Sequence, residues 1–184
     1  MIKIRLLKKI GIRELKRIAP GYTSDAKYVV LHRDSQNHAL IDLHLISLET
    51  PYTKKYDHYN NNTIKRYLKI LKEGYSFGAY DGDLLVGLLI AEPRSWNQSL
   101  WVWEFHSAES HRHRGIGKKL MDAVMEKARK AGFRIIVCET QNTNADAIQI
   151  YRHLGFRVEG MDISYYSNED YPDGEIAVFM KRRI

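Results

Sequence analysis

Cysteine is almost missing: the 184 residues hold one, Cys138. A single thiol cannot close an internal disulfide, which excludes a disulfide-stapled scaffold and agrees with a reducing compartment. Long apolar runs are missing too. None reaches the ~20 residues of a membrane-spanning helix, and the opening Met1-Ile2-Lys3-Ile4-Arg5 carries charge inside its apolar pattern. Neither a signal peptide, a transmembrane helix nor a membrane partner is therefore expected, and the cytoplasm is the default location. The chain also lacks internal repeats, linkers and low-complexity tracts. One domain over residues 1–184 is expected, large enough to bury a core without disulfides or metals, and no metal site is anticipated. Dense runs of one charge are scarce. The net charge is +7, from 29 Lys and Arg against 22 Asp and Glu, but basic residues crowd only at 112–119 and at Lys181-Arg182-Arg183. A nucleic-acid binder needs a basic face or stripe, so no nucleic-acid partner is expected.

What is present is the patterning of a soluble globular protein, 44% hydrophobic and 28% charged. Residues 2–8 read as a strand and 11–18 as a short helix stopped by Pro20-Gly21. Extended segments follow at 27–33 and 39–48, joined by a polar turn; Asp42 and His44 in the second share one strand face. The pattern breaks over 50–57, and Asn60-Asn61-Asn62-Thr63 offers caps for a helix over 64–72. A hairpin is signalled by 76–80 and 84–92 around Asp81-Gly82-Asp83, because Asp-Gly supplies the positive φ of a tight turn. A strand at 100–105 leads into an amphipathic helix over 115–131, with Leu120, Met121, Val124 and Ala128 as its apolar stripe and Gly132 as its stop. Then come a strand (134–139), a helix (144–154) and strands at 156–163 and 176–182. Antiparallel hairpins followed by β-α-β-α-β describe an α/β domain with a mixed sheet. Cys138, at the end of the apolar 135–138, is expected as a core residue rather than a reactive thiol.

The stretch Arg112-His113-Arg114-Gly115-Ile116-Gly117 is the most informative. A strand that turns through glycine into a helix gathers unpaired backbone N–H groups and the positive end of the helix dipole, a seat for phosphates. Gly115 and Gly117 let a pyrophosphate approach the main chain, and Arg112, Arg114, Lys118 and Lys119 add charge. A triphosphate P-loop fails on spacing, since Gly117-Lys118 is followed by Lys119 and position 112 is Arg. A dinucleotide fingerprint lacks its third glycine, at position 120, which is Leu.

The pattern that fits is Q/R-x-x-G-x-G/A, carried by Arg112, Gly115 and Gly117. It resembles the acetyl-CoA signature of the GNAT superfamily of N-acetyltransferases. Downstream, Asn144, Ala147, Tyr151, Gly155 and Phe156 resemble that family's N-x-x-A-x-x-x-Y-x-x-x-G-F segment. The segments 49–57, 101–106, 139–144 and 162–182 further resemble streptothricin acetyltransferases. The resemblance implies a GNAT-type acyl-CoA N-acyltransferase fold, a central and mostly antiparallel sheet flanked by helices. It implies acetyl-CoA as cofactor, contacted by Phe105, His106 and Ser107, by Arg112, His113, Arg114, Gly115, Ile116, Gly117 and Lys118, and by Asn144, Ala147 and Tyr151. It also implies acetylation of an amino group on the β-lysine moiety of streptothricin, a small cationic amine partner, by a monomer or homodimer.

The chemistry asks for particular side chains. A lysine-type amine, of pKa about 10.4, must lose a proton before it attacks, at a cost of about 4–5 kcal/mol at pH 7. Glu104 and His106, on one face of the strand before the turn, are candidate acceptors, directly or through water. Their plainer roles are an ion-pair partner and a satisfied histidine. Tyr151, by the resemblance, lies near the cofactor sulfur, and its phenol can protonate the departing thiolate; its plainer role is core packing beside Ile148. Around the C-terminal turn, Glu169, Asp170, Asp173 and Glu175, with Tyr165, Tyr166 and Tyr171, reverse the sign of a basic chain. Carboxylates and tyrosine faces attract ammonium groups, so Tyr165 and these four acids, with Glu104, are the candidate substrate contacts. Glu49, Tyr52, Tyr56 and Asp57 form a second candidate edge. Acetylation of a peptide N-terminus, protein lysine or polyamine, and a non-catalytic acyl-CoA module, stand as alternatives.

Overall fold

Residues 1–184 are described by a computed structural model. In chain order the elements are β1 (Ile2–Leu6), α1 (Ile12–Ile18), β2 (Gly21–Ser35), β3 (His38–Lys55), α2 (Asn61–Leu71), β4 (Phe77–Asp81), β5 (Leu84–Arg94), β6 (Ser99–Ser107), α3 (Ile116–Lys130), β7 (Ile135–Gln141), α4 (Ala145–His153), β8 (Arg157–Asp162) and β9 (Ala177–Arg183). They divide between two units, one built from Met1–Gly21, Lys55–Val137 and Arg183–Ile184, the other from Tyr22–Lys54 and Cys138–Arg182. The expected mixed α/β architecture, with a mostly antiparallel sheet and flanking helices, is what forms.

In the first unit β1, β4, β5 and β6 lie side by side, each antiparallel to its neighbour. Gly82, at φ 58°, closes the β4–β5 turn as the Asp-Gly signal requires. One face of β5 sends Leu85, Leu88 and Ile90 into a core with Leu15 and Ile18 of α1 and Tyr67, Ile70 and Leu71 of α2. The opposite face receives α3, whose buried stripe is Ile116, Leu120, Met121, Val124, Met125 and Ala128. Each of these side chains but that of Ala128 contributes about 1.5–3 kcal/mol, so the stripe, rather than helix propensity, fixes how α3 docks. Gly87 is required here: a Cβ would stand 2.8 Å from Ile116 and 3.2 Å from the His106 carbonyl oxygen.

In the second unit the order is β7-β9-β8, with β8 antiparallel to β9, and β2 and β3 form a two-stranded ribbon. The ribbon corrects the sequence expectation most. Its strands run 15 and 18 residues, and β3 continues through Pro51 to Lys55 where a break was expected, because Pro is tolerated in a ribbon that has edges. Asp42 and His44 do share a face, joined at 2.8 Å. Helix α2 starts three residues earlier than expected, since Asn60 accepts the Asn62 and Thr63 N–H groups at 2.8 and 3.1 Å and so sets the start. Buried Asn142 stitches this unit: its amide donates to the Tyr28 carbonyl and accepts from the Ile176 N–H, both at 2.8 Å. No helix is long and apolar enough to cross a membrane.

Candidate active site

The turn between β6 and α3 leaves main-chain donors open beside exposed cations. Gly115 caps α3 at φ 71° with no side chain bonded to the first-turn N–H groups, and a Cβ there would meet nothing within 4 Å. Those N–H groups have no intrahelical acceptors by helix geometry. His113 also holds a left-handed φ of 59°, a conformation that costs a non-glycine residue about 1 kcal/mol or more and is found at ligand clamps. Arg112, His113, Arg114 and Lys119 are exposed around them. This donor set, N–H groups and cations about an open main chain, fits the pyrophosphate of acetyl-CoA. Two details differ from the sequence reading. Lys118 is paired with Asp122 at 2.7 Å on the helix surface. Gly117 has a packing reason of its own, because a Cβ would press on the Phe105 ring at 3.3 Å.

Glu104 lies just upstream, 5% exposed. An irregularity pairs Ile90 with Glu104 but Ala91 with Val102, leaving Trp103 as an extra residue in β6; such bulges re-aim the side chains beside them. The Glu104 carboxylate accepts from three donors: Tyr59 Oη at 2.9 Å, Tyr67 Oη at 2.5 Å and His106 Nε2 at 2.7 Å. Burial pushes this carboxyl up, but the bond and charge of His106 and the two tyrosine hydroxyls outweigh it, and the net pKa lies below the ordinary value. Burial and the Glu104 charge push both tyrosines well up, so they remain donors. The ring of Tyr56 stands edge-on to His106 at 5.8 Å.

In the second unit the motif on α4 is locally explained. Asn144 caps the helix, its Oδ1 accepting the Ala147 N–H at 3.2 Å. Tyr151 is buried against Phe156, with ring centres 5.6 Å apart, and its hydroxyl bonds to Cys138. Cys138 is free and buried, its thiol pushed well up by that burial, as a core residue should be.

The acidic stretch separates into two groups. Asp170 is buried and spent on its own loop, accepting from the Tyr166 N–H and Ser167 Oγ, both at 2.7 Å. Glu169, Asp173 and Tyr165 are exposed, and so are Glu49 on β3 and Asp57. Glu175 is different. It accepts from Tyr52 Oη at 3.0 Å and Tyr22 Oη at 3.4 Å and is ion-paired with Lys54. Burial and that bond push the Tyr52 hydroxyl up to about 12. The Lys54 ammonium also lies 5.6 Å from the centre of the Tyr166 ring, and Tyr166 donates to Glu139. Burial raises the Glu139 pKa, with Tyr166 and Lys54 opposing and Glu175 adding to it. Lys54 thus places a primary ammonium among Glu175, Glu139 and tyrosines.

A sequence model of the acetyltransferase (GNAT) family matches residues 37–156, well over half of the chain. The chain belongs to this family. Among curated relatives, streptothricin acetyltransferase of Streptomyces lavendulae is 37% identical over 100 residues, covering 54% of this chain and 52% of that protein. The chain spans about half the length of the curated relatives it matches. Among solved structures, nourseothricin acetyltransferase is 26% identical at a TM-score of 0.75, covering 99% of this chain and 98% of the other. A Bacillus anthracis protein in complex with acetyl coenzyme A superposes over the full length of both chains at a TM-score of 0.76, with 19% identity, a likeness of fold.

For this GNAT-family chain, the sequence did not single out Tyr59, Tyr67, Lys54, Glu139 or Tyr22 as site residues. One signal was available. Tyr67 falls on the apolar face of α2 with Ile70 and Leu71, and a tyrosine on a buried face needs a partner for its hydroxyl. Nothing local marks Lys54 or Glu139 as members of one cluster.

Proposed function

We propose that residues 1–184 act as one acetyl-CoA-dependent N-acetyltransferase domain whose acceptor is a cationic, lysine-type amine, the β-lysine moiety of streptothricin. The observation that carries the acceptor class is Lys54, whose ammonium lies on Glu175 under the Tyr166 ring. A site that holds a lysine side chain of the protein itself also suits the lysine-like arm of a substrate, which takes Lys54's place on Glu175. Negative carboxylates on a chain of net charge +7 focus a cation onto that spot. The named relatives support the specific acceptor, streptothricin for one and nourseothricin for another.

Acetyl-CoA supplies an activated thioester carbonyl. The α3 turn, with Arg112, Arg114 and the N–H groups beyond Gly115, holds its pyrophosphate. The Glu104–His106 pair receives the ammonium proton, and Tyr151 donates to the leaving sulfur by turning its hydroxyl from Cys138. Transfer is direct, with no acyl-enzyme.

Incubating the purified chain with acetyl-CoA and, separately, streptothricin, spermidine, lysine and a short peptide, while following thiol release, tests this. Release with streptothricin is expected. Turnover of the peptide with none of streptothricin overturns the acceptor and leaves the acetyltransferase chemistry standing. No release with any of the four favours the non-catalytic module.

A further inference from the structure

Glu104 is too enclosed to meet an amine itself. Its two oxygens already accept from Tyr59, Tyr67 and His106, and the residue is 5% exposed. His106 is the member of the group that reaches outward, its side chain 24% exposed. An ionised carboxylate only accepts hydrogen bonds, so the ring nitrogen facing Glu104, Nε2, must carry the hydrogen. In the neutral imidazole the lone pair is then on Nδ1. Arg94 Nε is the one buried side-chain nitrogen or oxygen without a partner, so His106 Nδ1, which has none either, opens to solvent. A carboxylate that fixes a tautomer and stabilises the imidazolium behind a solvent-facing nitrogen is the arrangement of a His general base with its orienting acid.

We infer that His106, through Nδ1, is the general base that deprotonates the acceptor ammonium, and that Glu104, Tyr59 and Tyr67 are positioning residues behind it. The proton passes from the ammonium nitrogen to Nδ1, giving an imidazolium paired with Glu104. The freed nitrogen lone pair forms the C–N bond as the C–S bond breaks with its electrons on sulfur. The nitrogen loses a second proton as the amide forms, the sulfur gains one, and one proton leaves to solvent from Nδ1. Charged and titratable groups facing His106 are few: Glu104 on its own strand, Tyr59 and Tyr67 through that carboxylate, and the ring of Tyr56, with His58 packed on Tyr56 and Tyr59. Burial holds Tyr59 and Tyr67 protonated, and Glu104 is the carboxylate bonded to the imidazole. In the proposed function the base was the pair as a whole; the division of labour within it rests on that acetyl transfer for its kinetic test alone.

Two measurements test it. In 15N-histidine-labelled protein without substrates, long-range proton–nitrogen correlation at neutral pH should show His106 as the Nε2–H tautomer, and Glu104→Gln should abolish that preference. Finding the Nδ1–H tautomer in the wild type overturns the inference whatever the acceptor proves to be. With acetyl-CoA and streptothricin, His106→Gln should lower kcat about a hundredfold or more and remove the acidic limb of the kcat/KM–pH profile. Glu104→Gln should keep that limb while lowering kcat, because His106 remains the base. A His106→Gln enzyme with an intact limb and near-normal kcat sinks the inference and returns the role of base to Glu104. Wild-type protein that ignores streptothricin counts against the acceptor, while the tautomer measurement still decides the dyad.

Discussion

Glu104 in the first unit and Glu175 in the second are both carboxylates ringed by tyrosine hydroxyls, yet they are built for different work. Glu104 is 5% exposed and meets two tyrosine hydroxyls and an imidazole. Glu175 is 20% exposed and meets a lysine whose own side chain is 26% exposed. The sealed carboxylate has its oxygens taken by three donors and, in the proposed mechanism, holds the proton acceptor in place. The open one carries a lysine of the protein itself, the place proposed for the acceptor's ammonium. On the proposed function, similar residues, differently buried, separate proton handling from binding.

The contrast is sharpest in kinetics. Glu104→Gln should lower kcat about a hundredfold or more with a smaller change in acceptor KM. Glu175→Gln should raise KM for streptothricin about tenfold, the worth of one charge-assisted bond of about 1.5 kcal/mol, with kcat within a few-fold. If both variants lose kcat alone, the assignment of separate roles fails. Next in size is stability. Tyr67→Phe strips a donor from a buried anion and should cost about 1.5–3 kcal/mol in urea unfolding. Tyr52→Phe, at a half-buried site, should cost no more than about 0.5–1 kcal/mol.

Acid sharpens the same division through opposite signs. The Glu104 pKa lies below its ordinary 4.5, so its stabilisation is fully present above that pH and fades as pH falls through the lowered folded value. The advantage of wild type over Glu104→Gln should therefore shrink below pH 4.5. The Glu139 pKa lies above its ordinary 4.5, so its ionisation destabilises the fold as pH rises past that value, and Glu139→Gln should gain stability relative to wild type between acid and neutral pH. Curves of the same slope for both variants would contradict the description of one or other site. The smallest effect is ionic strength: salt should raise KM for streptothricin, through screening at Glu175, and leave kcat nearly flat.

Much of this was legible in the chain. Positive φ at Gly82 and the Leu120, Met121, Val124 and Ala128 stripe of α3 follow from local sterics and helical period, and the structure adds Ile116 and Met125 to that stripe. The Arg112–Gly117 and Asn144–Phe156 motifs carried the acetyltransferase family, because each packs its chemistry into a few consecutive residues. Other elements resisted. The β2–β3 ribbon outran its apolar pattern, since a ribbon with exposed faces has no strict inside-outside alternation to read. The acid-rich C-terminal stretch looked uniform, but Asp170 is fastened to its own loop while Glu175 faces Lys54. Gly117 looked like a cofactor residue, and Phe105 gives it a second purpose.

By itself, then, the sequence determined the strand-turn-helix proposed to seat a pyrophosphate, the order of elements and the family, all properties of neighbours in the chain governed by backbone sterics and periodicity. The tertiary structure alone decided which groups touch the two carboxylates. Tyr67 and Tyr59 reach Glu104 from 37 and 45 residues away, and Lys54 reaches Glu175 across 121. Hydrogen bonds act over about 3 Å, so partners so distant in sequence are chosen by how the strands and helices pack.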